Sequence, residues 1–374
     1  RLDMICIFVY YKYYIKGAVG MRIISLDSVK GDELLAKDII NENDTILVSA
    51  GTVIRKEYVN RLKELEIEYI YVEDEISKGI NLTESLDYQI KEQCQKTVQR
   101  ILQKYTYHNN SELEEIAYIA DEIIYDVFQE PEVIYTLSSI RNKNESTYSH
   151  SLNVCALSVI LSIRLRIPIK KIREIAIGCL LHDVGFTYIT MDYKNLDIYS
   201  CSIKELREIK KHIIYGYTAI EKMDWLSSIS KDIVISHHER LDGTGYPFKL
   251  SGNKIKIGSK IAAVCDEFDS IVYGNLQPKM KVHDAIDFIV SQAGVKFDLS
   301  VVNVFVASVA AYPTGALVTT NENEIGIVLR QNAKCPTRPV IRIIQDKNNN
   351  KPRIWIEKDL TKELTLFITG TIID

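Results

Sequence analysis

Apolar and polar positions change their rhythm twice along the chain. Between 21 and 75 the apolar residues come in short runs and alternations. Thr45-Ile-Leu-Val predicts a strand closed by a turn at Ser49-Ala-Gly, Glu57 to Leu65 has helical spacing, and Ile67-Glu-Tyr-Ile-Tyr-Val alternates like a half-buried strand. A polar stretch, Glu73 to Asn81, then reads as a linker. Leu86, Ile90, Cys94, Val98, Ile101 and Tyr105 recur every three or four positions and predict one face of a helix. Ser111 and Glu114 form a capping box that opens a second helix, striped by Leu113, Ile116, Ala120, Ile123 and Val127. Two stripes of this length suit an intramolecular hairpin better than a sustained dimeric coiled coil.

From about Asn144 to Tyr312 the pattern is helix after helix. The stripe Val154, Leu157, Leu161 carries His150 one turn earlier, and Pro168 opens a helix that passes Ile172, Ile175 and Cys179 to reach His182. Ser202 with Glu205 caps the helix that leads to His212. Beyond 312 the period returns to two, in Val318-Thr-Thr, Glu324-Ile-Gly-Ile-Val-Leu, Val340-Ile-Arg-Ile-Ile and Arg353-Ile-Trp-Ile-Glu. The expected organisation is therefore mainly α. It consists of a small α/β module at 21–76, a helical linker region at 77–143, a helical bundle at 144–312 and a small β-rich tail at 313–374. Because Met21 opens the patterned part, residues 1–20 read as a leader or a mis-called start.

Composition alters this picture little. The 374 residues carry 46 Lys+Arg against 50 Asp+Glu, a formal charge of −4, with 46% hydrophobic content. That argues against a basic nucleic-acid binder and against a disordered chain. Seven scattered cysteines without a Cys-x-x-Cys pair point to reduced thiols in a cytoplasmic protein. The early apolar run Met4 to Tyr11 is too short for a stable membrane span and lacks a small-residue cleavage site.

Histidine is scarce, with seven residues, yet five of them, His150, His182, His212, His237 and His238, fall within ninety positions. His182 precedes Asp183, the His237-His238 pair precedes Glu239, and Asp266 and Asp269 share one helical stretch. Taken singly, a histidine on an apolar face such as His150 is more often a buried, hydrogen-bonded core residue than a ligand. The recurring adjacent pairs shift that balance. Imidazole with carboxylate suits Fe, Mn, Zn or Ni, and one ligand per successive helix lets a bundle gather them at its centre. There are enough candidates for two ions, with Asp183 as the natural bridge. Such a pair lowers the pKa of a shared water and clamps a phosphodiester for in-line attack. His108 and His283 stand outside the pattern and read as ordinary surface residues.

The segment His237-His-Glu-Arg-Leu-Asp-Gly-Thr-Gly-Tyr-Pro247, together with His182-Asp183, Thr147-Tyr-Ser-His-Ser151 and Lys260-Ile-Ala-Ala-Val-Cys-Asp266, resembles the HD-GYP family of metal-dependent phosphohydrolases over about 144–312. The resemblance implies a helical HD-type metal-binding domain that hydrolyses the bacterial messenger cyclic di-GMP to pGpG or GMP. It implies His150, His182, Asp183, His212, His237, His238 and Asp266 as metal ligands, with Fe or Mn as the ions. Asp183 would bridge them and hold the attacking hydroxide, and Asp183 and His182 form the catalytic pair. Arg240 and the loop Gly245-Tyr246-Pro247 would shape the substrate side, while Gly243 and Gly245 permit a tight turn. A homodimer and a contact with diguanylate cyclase domains are partners compatible with it.

Three positions depart from the family pattern. The usual His-Asp-x-Gly-Lys reads His182-Asp-Val-Gly-Phe186, so a phosphate-contacting lysine is an aromatic residue. The arginine expected after the Asp266 helix is missing, with Lys279 or Lys281 as substitutes. A third-metal glutamate is Ser146 here, so two ions are expected rather than three. Alternative readings are a weak or inactive cyclic-dinucleotide receptor, which Phe186 favours, and an HD phosphohydrolase acting on another nucleotide.

Overall fold

The computed structural model describes residues 20–40, 46–65, 67, 69–80, 94, 97, 98, 100, 114–129, 147–193 and 196–372. The N-terminal part contains β1 (Arg22–Ser25), β2 (Glu33–Leu35), a hairpin of β3 (Ile39–Ile40) and β4 (Ile46–Val48), then β5 (Val53–Ile54), α1 (Lys56–Glu64) and β6 (Tyr69–Glu73). Strands order as β1-β6-β2-β5 in one antiparallel sheet. The period-two pattern has its usual cause. Ile70 and Val72 point to one face of β6 and join Ile24, Leu35, Ile54, Leu62 and Ile67 in a small core.

The centre of the molecule is a helical bundle. It comprises α2 (Glu115–Gln129), α3 (Thr147–Arg164), α4 (Ile169–Leu181), α5 (Ile203–Lys210), α6 (His212–Ile220), α7 (Ser228–Ser236), α8 (Ile257–Tyr273), α9 (Val282–Ser291) and α10 (Leu299–Val306). α3 and α8 are buried along most of their length, and Phe268 of α8 meets Phe305 of α10 edge to face at 4.9 Å. Pro168 stands at the N-cap of α4, and both halves of the Ser202–Glu205 capping box form on α5. Ile116, Ala120, Ile123 and Val127 of α2 are buried in the same core as Cys94 and Val98, so this stripe packs within the chain. Leu86, Ile90, Ile101, Tyr105, Ser111 and Leu113 lie outside the described residues, as does His108.

The C-terminal part is an antiparallel sheet ordered β10-β9-β8-β7-β11, formed by β7 (Leu317–Thr320), β8 (Ile325–Arg330), β9 (Val340–Gln345), β10 (Ile356–Asp359) and β11 (Ile368–Thr371). The strand expected over 353–357 is shifted: pairing begins at Ile356 opposite Ile343, and Ile354 stays exposed. β11 had no sequence signal beyond its β-branched residues. The stretch expected as a linker after Glu73 is also different. Ser77 and Ile80 are fully buried, and Ile80 packs with Ile327, Leu329 and Val340 of the C-terminal sheet. Arg342 of β9 donates to the carbonyls of Ile76 at 3.2 Å and Lys78 at 2.7 Å. The segment reads as a linker because its polar side chains close local bonds, such as Ser77 with the carbonyls of Gly20 and Asp74. Among the described residues, no helix is long and apolar enough to cross a membrane.

Candidate metal centre

Five helices and one short turn bring the histidines and carboxylates together. His150 comes from α3, His182 from the C-cap of α4 with Asp183 just beyond, His212 from the first residue of α6, His237 and His238 from the end of α7, and Asp266 from α8. The helix ends have a second use here. His182 donates Nδ1–H to the Cys179 carbonyl at 2.6 Å, His212 to that of Ile209 at 2.7 Å and His237 to that of Ile233 at 3.1 Å. These last-turn carbonyls fix both ring orientation and tautomer, leaving each Nε2 as a lone pair. His150 is held instead by a carboxylate: its Nδ1 donates to Asp269 at 2.7 Å, and Asn153 donates to the other Asp269 oxygen at 2.9 Å.

With those bonds assigned, the inner nitrogens face one another in a way that either a proton or a cation satisfies. Nε2 of His150 and Nε2 of His182 stand 3.2 Å apart, each with its other ring nitrogen already donating. Nε2 of His212 and Nε2 of His237 are buried and have no hydrogen-bond partner. A buried polar atom left unsatisfied costs about 1–3 kcal/mol, and several such lone pairs at one point fit a bound metal ion. Three sets meet the spacing that an ion needs, with ligand atoms within 4.8 Å: His212-His237-His238, His150-His182-Asp266 and His182-Asp183-His237.

Asp183 lies between these sets. Its Oδ2 is 3.3 Å from His182 and 3.6 Å from His150, while its Oδ1 is 3.6 Å from His212 and 3.8 Å from His237. Asp266 approaches His150 at 3.1 Å through Oδ1 and His238 at 3.6 Å through Oδ2. Burial opposes charge everywhere in this cluster, but the neighbours divide it. Burial alone would depress His150, yet hydrogen bonds to Asp266 and Asp269 bring it up to about 10. His182 is likewise raised despite burial, by Asp183. Burial depresses His212, takes His237 down to about 3 with help from His182, and holds His238 well below its ordinary value. Burial raises both carboxyls, but the surrounding histidines outweigh it and keep Asp183 and Asp266 ionised well below the carboxylate range.

A column of rings closes one side. Tyr193 lies 4.7 Å from Phe186, which stacks on His212 at 4.2 Å and 10°; His212 meets His238 at 5.2 Å, and His238 stacks on Tyr246 at 4.9 Å. The Lys210 ammonium sits over the Tyr246 ring, 4.7 Å from its centre. Phe186 is 7% exposed and belongs to an apolar cluster with Ile189 and Ile209. The loop that carries Tyr246 and Pro247, joined by a cis peptide bond, is braced from below. Buried Glu239 accepts from the backbone N–H of Phe248 at 2.7 Å and Leu250 at 2.9 Å. Gly243 takes the left-handed conformation that a turn requires, φ 78°. Gly245 serves a different end: a Cβ there would collide with the backbone of His238, Glu239 and Arg240.

Several residues take places that the sequence did not suggest. Arg240, expected on the substrate side, is committed inward: its guanidinium donates to Glu267 at 2.7 Å and to the carbonyls of His237 and Glu239, each at 3.1 Å. Lys279 stands 5.7 Å from the ring centre of Tyr69 in the N-terminal sheet. His283 is half-buried and stacked on Tyr312 at 5.5 Å rather than lying free on the surface. The positioning roles of Asp269, Asn153 and Glu239 were missed. The first two carried a signal, being three residues after Asp266 and His150 and thus on the same helix faces.

A family profile described as an HD domain matches residues 135–301, and one described as a KOW domain associated with HD domain matches 317–373. The chain is 30% identical over 236 residues to the cyclic di-GMP phosphodiesterase PA4108 of Pseudomonas aeruginosa, covering 63% of this chain and 56% of that protein. It is 29% identical over 199 residues to the cyclic di-GMP phosphodiesterase PdeB of Borreliella burgdorferi, covering 52% and 51%. Among solved structures it aligns with Bd1817, an HDG"Y"P protein of Bdellovibrio bacteriovorus, at a TM-score of 0.47 and 19% identity, over 76% and 98% of the two chains. The chain spans about half the length of the curated relatives it matches. Residues 135–301 thus match an HD domain, and the motif running from His237 to Pro247 resembles that of its HD-GYP branch.

Proposed function

We propose that this chain hydrolyses cyclic di-GMP to pGpG or GMP with two divalent transition-metal ions, Fe or Mn. The observation that carries the reading is Asp183, whose two oxygens face two different groups of histidine lone pairs. That is what a carboxylate shared between two ions requires. His150, His182 and Asp266 would hold one ion, and His212, His237 and His238 the other. When bound, the metals supply Lewis acidity toward a phosphodiester oxygen and a lowered pKa for a water.

The chain's own residues do the rest. Asp183 orients the attacking water, and His182 keeps that carboxylate in register from 3.3 Å. Tyr246, Gly245 and Pro247 form the lip over which the substrate enters. Buried, low-dielectric surroundings strengthen every charge interaction at the phosphate. The relatives named as cyclic di-GMP phosphodiesterases support the choice of substrate. A cytoplasmic setting, a homodimer and contact with diguanylate cyclase domains belong to the same proposal; the free thiols of Cys94, Cys155, Cys179, Cys201, Cys265 and Cys335 suit the first.

Purified protein loaded anaerobically with Fe or Mn should convert cyclic di-GMP to linear product, with close to two ions per chain by elemental analysis. Tight nucleotide binding without turnover under either metal would instead support a receptor, the reading that Phe186 favours by replacing a cation with an apolar ring.

A further inference from the structure

Phe186 raises a question of charge. A cyclic dinucleotide brings two phosphodiester anions, and the position where its phosphate would ordinarily meet a lysine is an aromatic ring packed against His212. Two other cations nearby are committed. Arg240 is bound to Glu267, and Lys260 pairs with Asp298 at 2.9 Å. We propose that Lys210 supplies the missing phosphate contact, as a substrate-binding and specificity-determining residue at the end of the ring column.

Its placement argues for this. Lys210 ends α5, two residues before His212, so the buried anchors Ile209 and His212 on either side fix its Cα. Its ammonium lies over Tyr246, whose ring in turn lies on His238, the most open histidine of the cluster with 21% of its side chain exposed. Lys210 itself is solvent-exposed and makes no ion pair among the described residues. A cation held over an aromatic face gains only about 0.5–1 kcal/mol at an exposed site, so it swings to an anion at little cost. The aromatic platform thus stores the charge beside the site, and Phe186 leaves an apolar wall where the usual lysine would stand.

The inference rests on the phosphodiesterase reading, and the test separates the two. Manganese-loaded full-length protein and its Lys210→Met and Lys210→Arg variants are titrated with inorganic phosphate and with cyclic di-GMP at two salt concentrations, with metal content measured in each. Lys210→Met should weaken both ligands about tenfold, roughly what losing one charged hydrogen bond produces, and flatten the salt dependence. Lys210→Arg should retain most of the affinity, and all three proteins should hold the same manganese. Unchanged phosphate affinity and salt slope in Lys210→Met, or no phosphate binding by the parent, overturns the assignment. A tenfold phosphate effect in a protein that neither binds nor cleaves cyclic di-GMP upholds Lys210 as an anion contact and sinks the choice of substrate instead.

Discussion

The two halves of the metal centre are built on opposite electrostatic plans. Around His150 and His182 the bundle places Asp266 and Asp269 as well as Asp183, and burial loses to these carboxylates, so imidazole affinity for protons rises. Around His212, His237 and His238 burial wins, and the rings are neutral lone-pair donors with two Nε2 atoms left unsatisfied. The carboxylate-rich half can neutralise itself with protons when no ion is bound, whereas the histidine half has no such recourse. One cluster therefore offers a cation different terms on its two sides. Asp183 turns one oxygen toward each half, and Asp266 likewise reaches His150 with one oxygen and His238 with the other, but Asp183 faces two histidines on either side.

Removing that shared group should break the comparison most severely. Asp183→Asn is expected to lower metal content in both halves and to reduce phosphodiester hydrolysis by on the order of 10³-fold, measured by elemental analysis and product formation. Asp269→Asn sharpens the comparison instead. It leaves His150 in place but weakens its brace, so affinity in the carboxylate-rich half should fall about 10–100-fold while the other half stays loaded, giving stepwise metal titration. Acid should discriminate in the same direction. A histidine whose pKa is about 10 is protonated at neutral pH and must lose that proton to bind metal, whereas one near 3 has none to lose. Uptake at pH 7 should therefore release about one proton per chain from the carboxylate-rich half, and calorimetry in buffers of different ionisation enthalpy checks this.

Two smaller effects concern the surroundings. Phe186→Lys exchanges a stacked ring for a charge in an apolar cluster, so unfolding stability should fall by about 2–4 kcal/mol without a rise in cyclic di-GMP turnover; urea denaturation and initial rates together test it. Ser202→Ala removes the side-chain half of a capping box on α5 and should cost about 1 kcal/mol with metal content unchanged.

Much of the site was legible because its chemistry is carried by rare residues. His150, His182, His212, His237 and His238 stand out in a chain with seven histidines, and Asp183 and Asp266 follow from adjacency and motif. What could not be read was direction. Arg240 lies inside the recognised motif, yet its guanidinium points to Glu267, a residue 27 positions away whose partner no local pattern reveals. Lys210 escaped notice for the complementary reason, since a lysine on an exposed helix end is unremarkable until Tyr246 is seen beneath it. Secondary structure divided along similar lines. The helices with an N-cap signal, at Pro168 and Ser202, begin where expected. β10 slipped three residues because its register is set by β9, not by its own alternation.

The bond from Arg342 to the carbonyls of Ile76 and Lys78 has a consequence for the order in which the protein is completed. Its partners are 264 and 266 residues apart in sequence. At roughly 5–20 residues per second on the ribosome, the N-terminal module would wait about 13–50 s before β9 is synthesised. During that interval Ile80 has no strand to cover it, because its cover comes from Ile327, Leu329 and Val340. The helical bundle, lying between, can gather its histidines while both its neighbours are unfinished. Synthesis of the C-terminal sheet thus seals the segment that follows β6, which is made well before its cover.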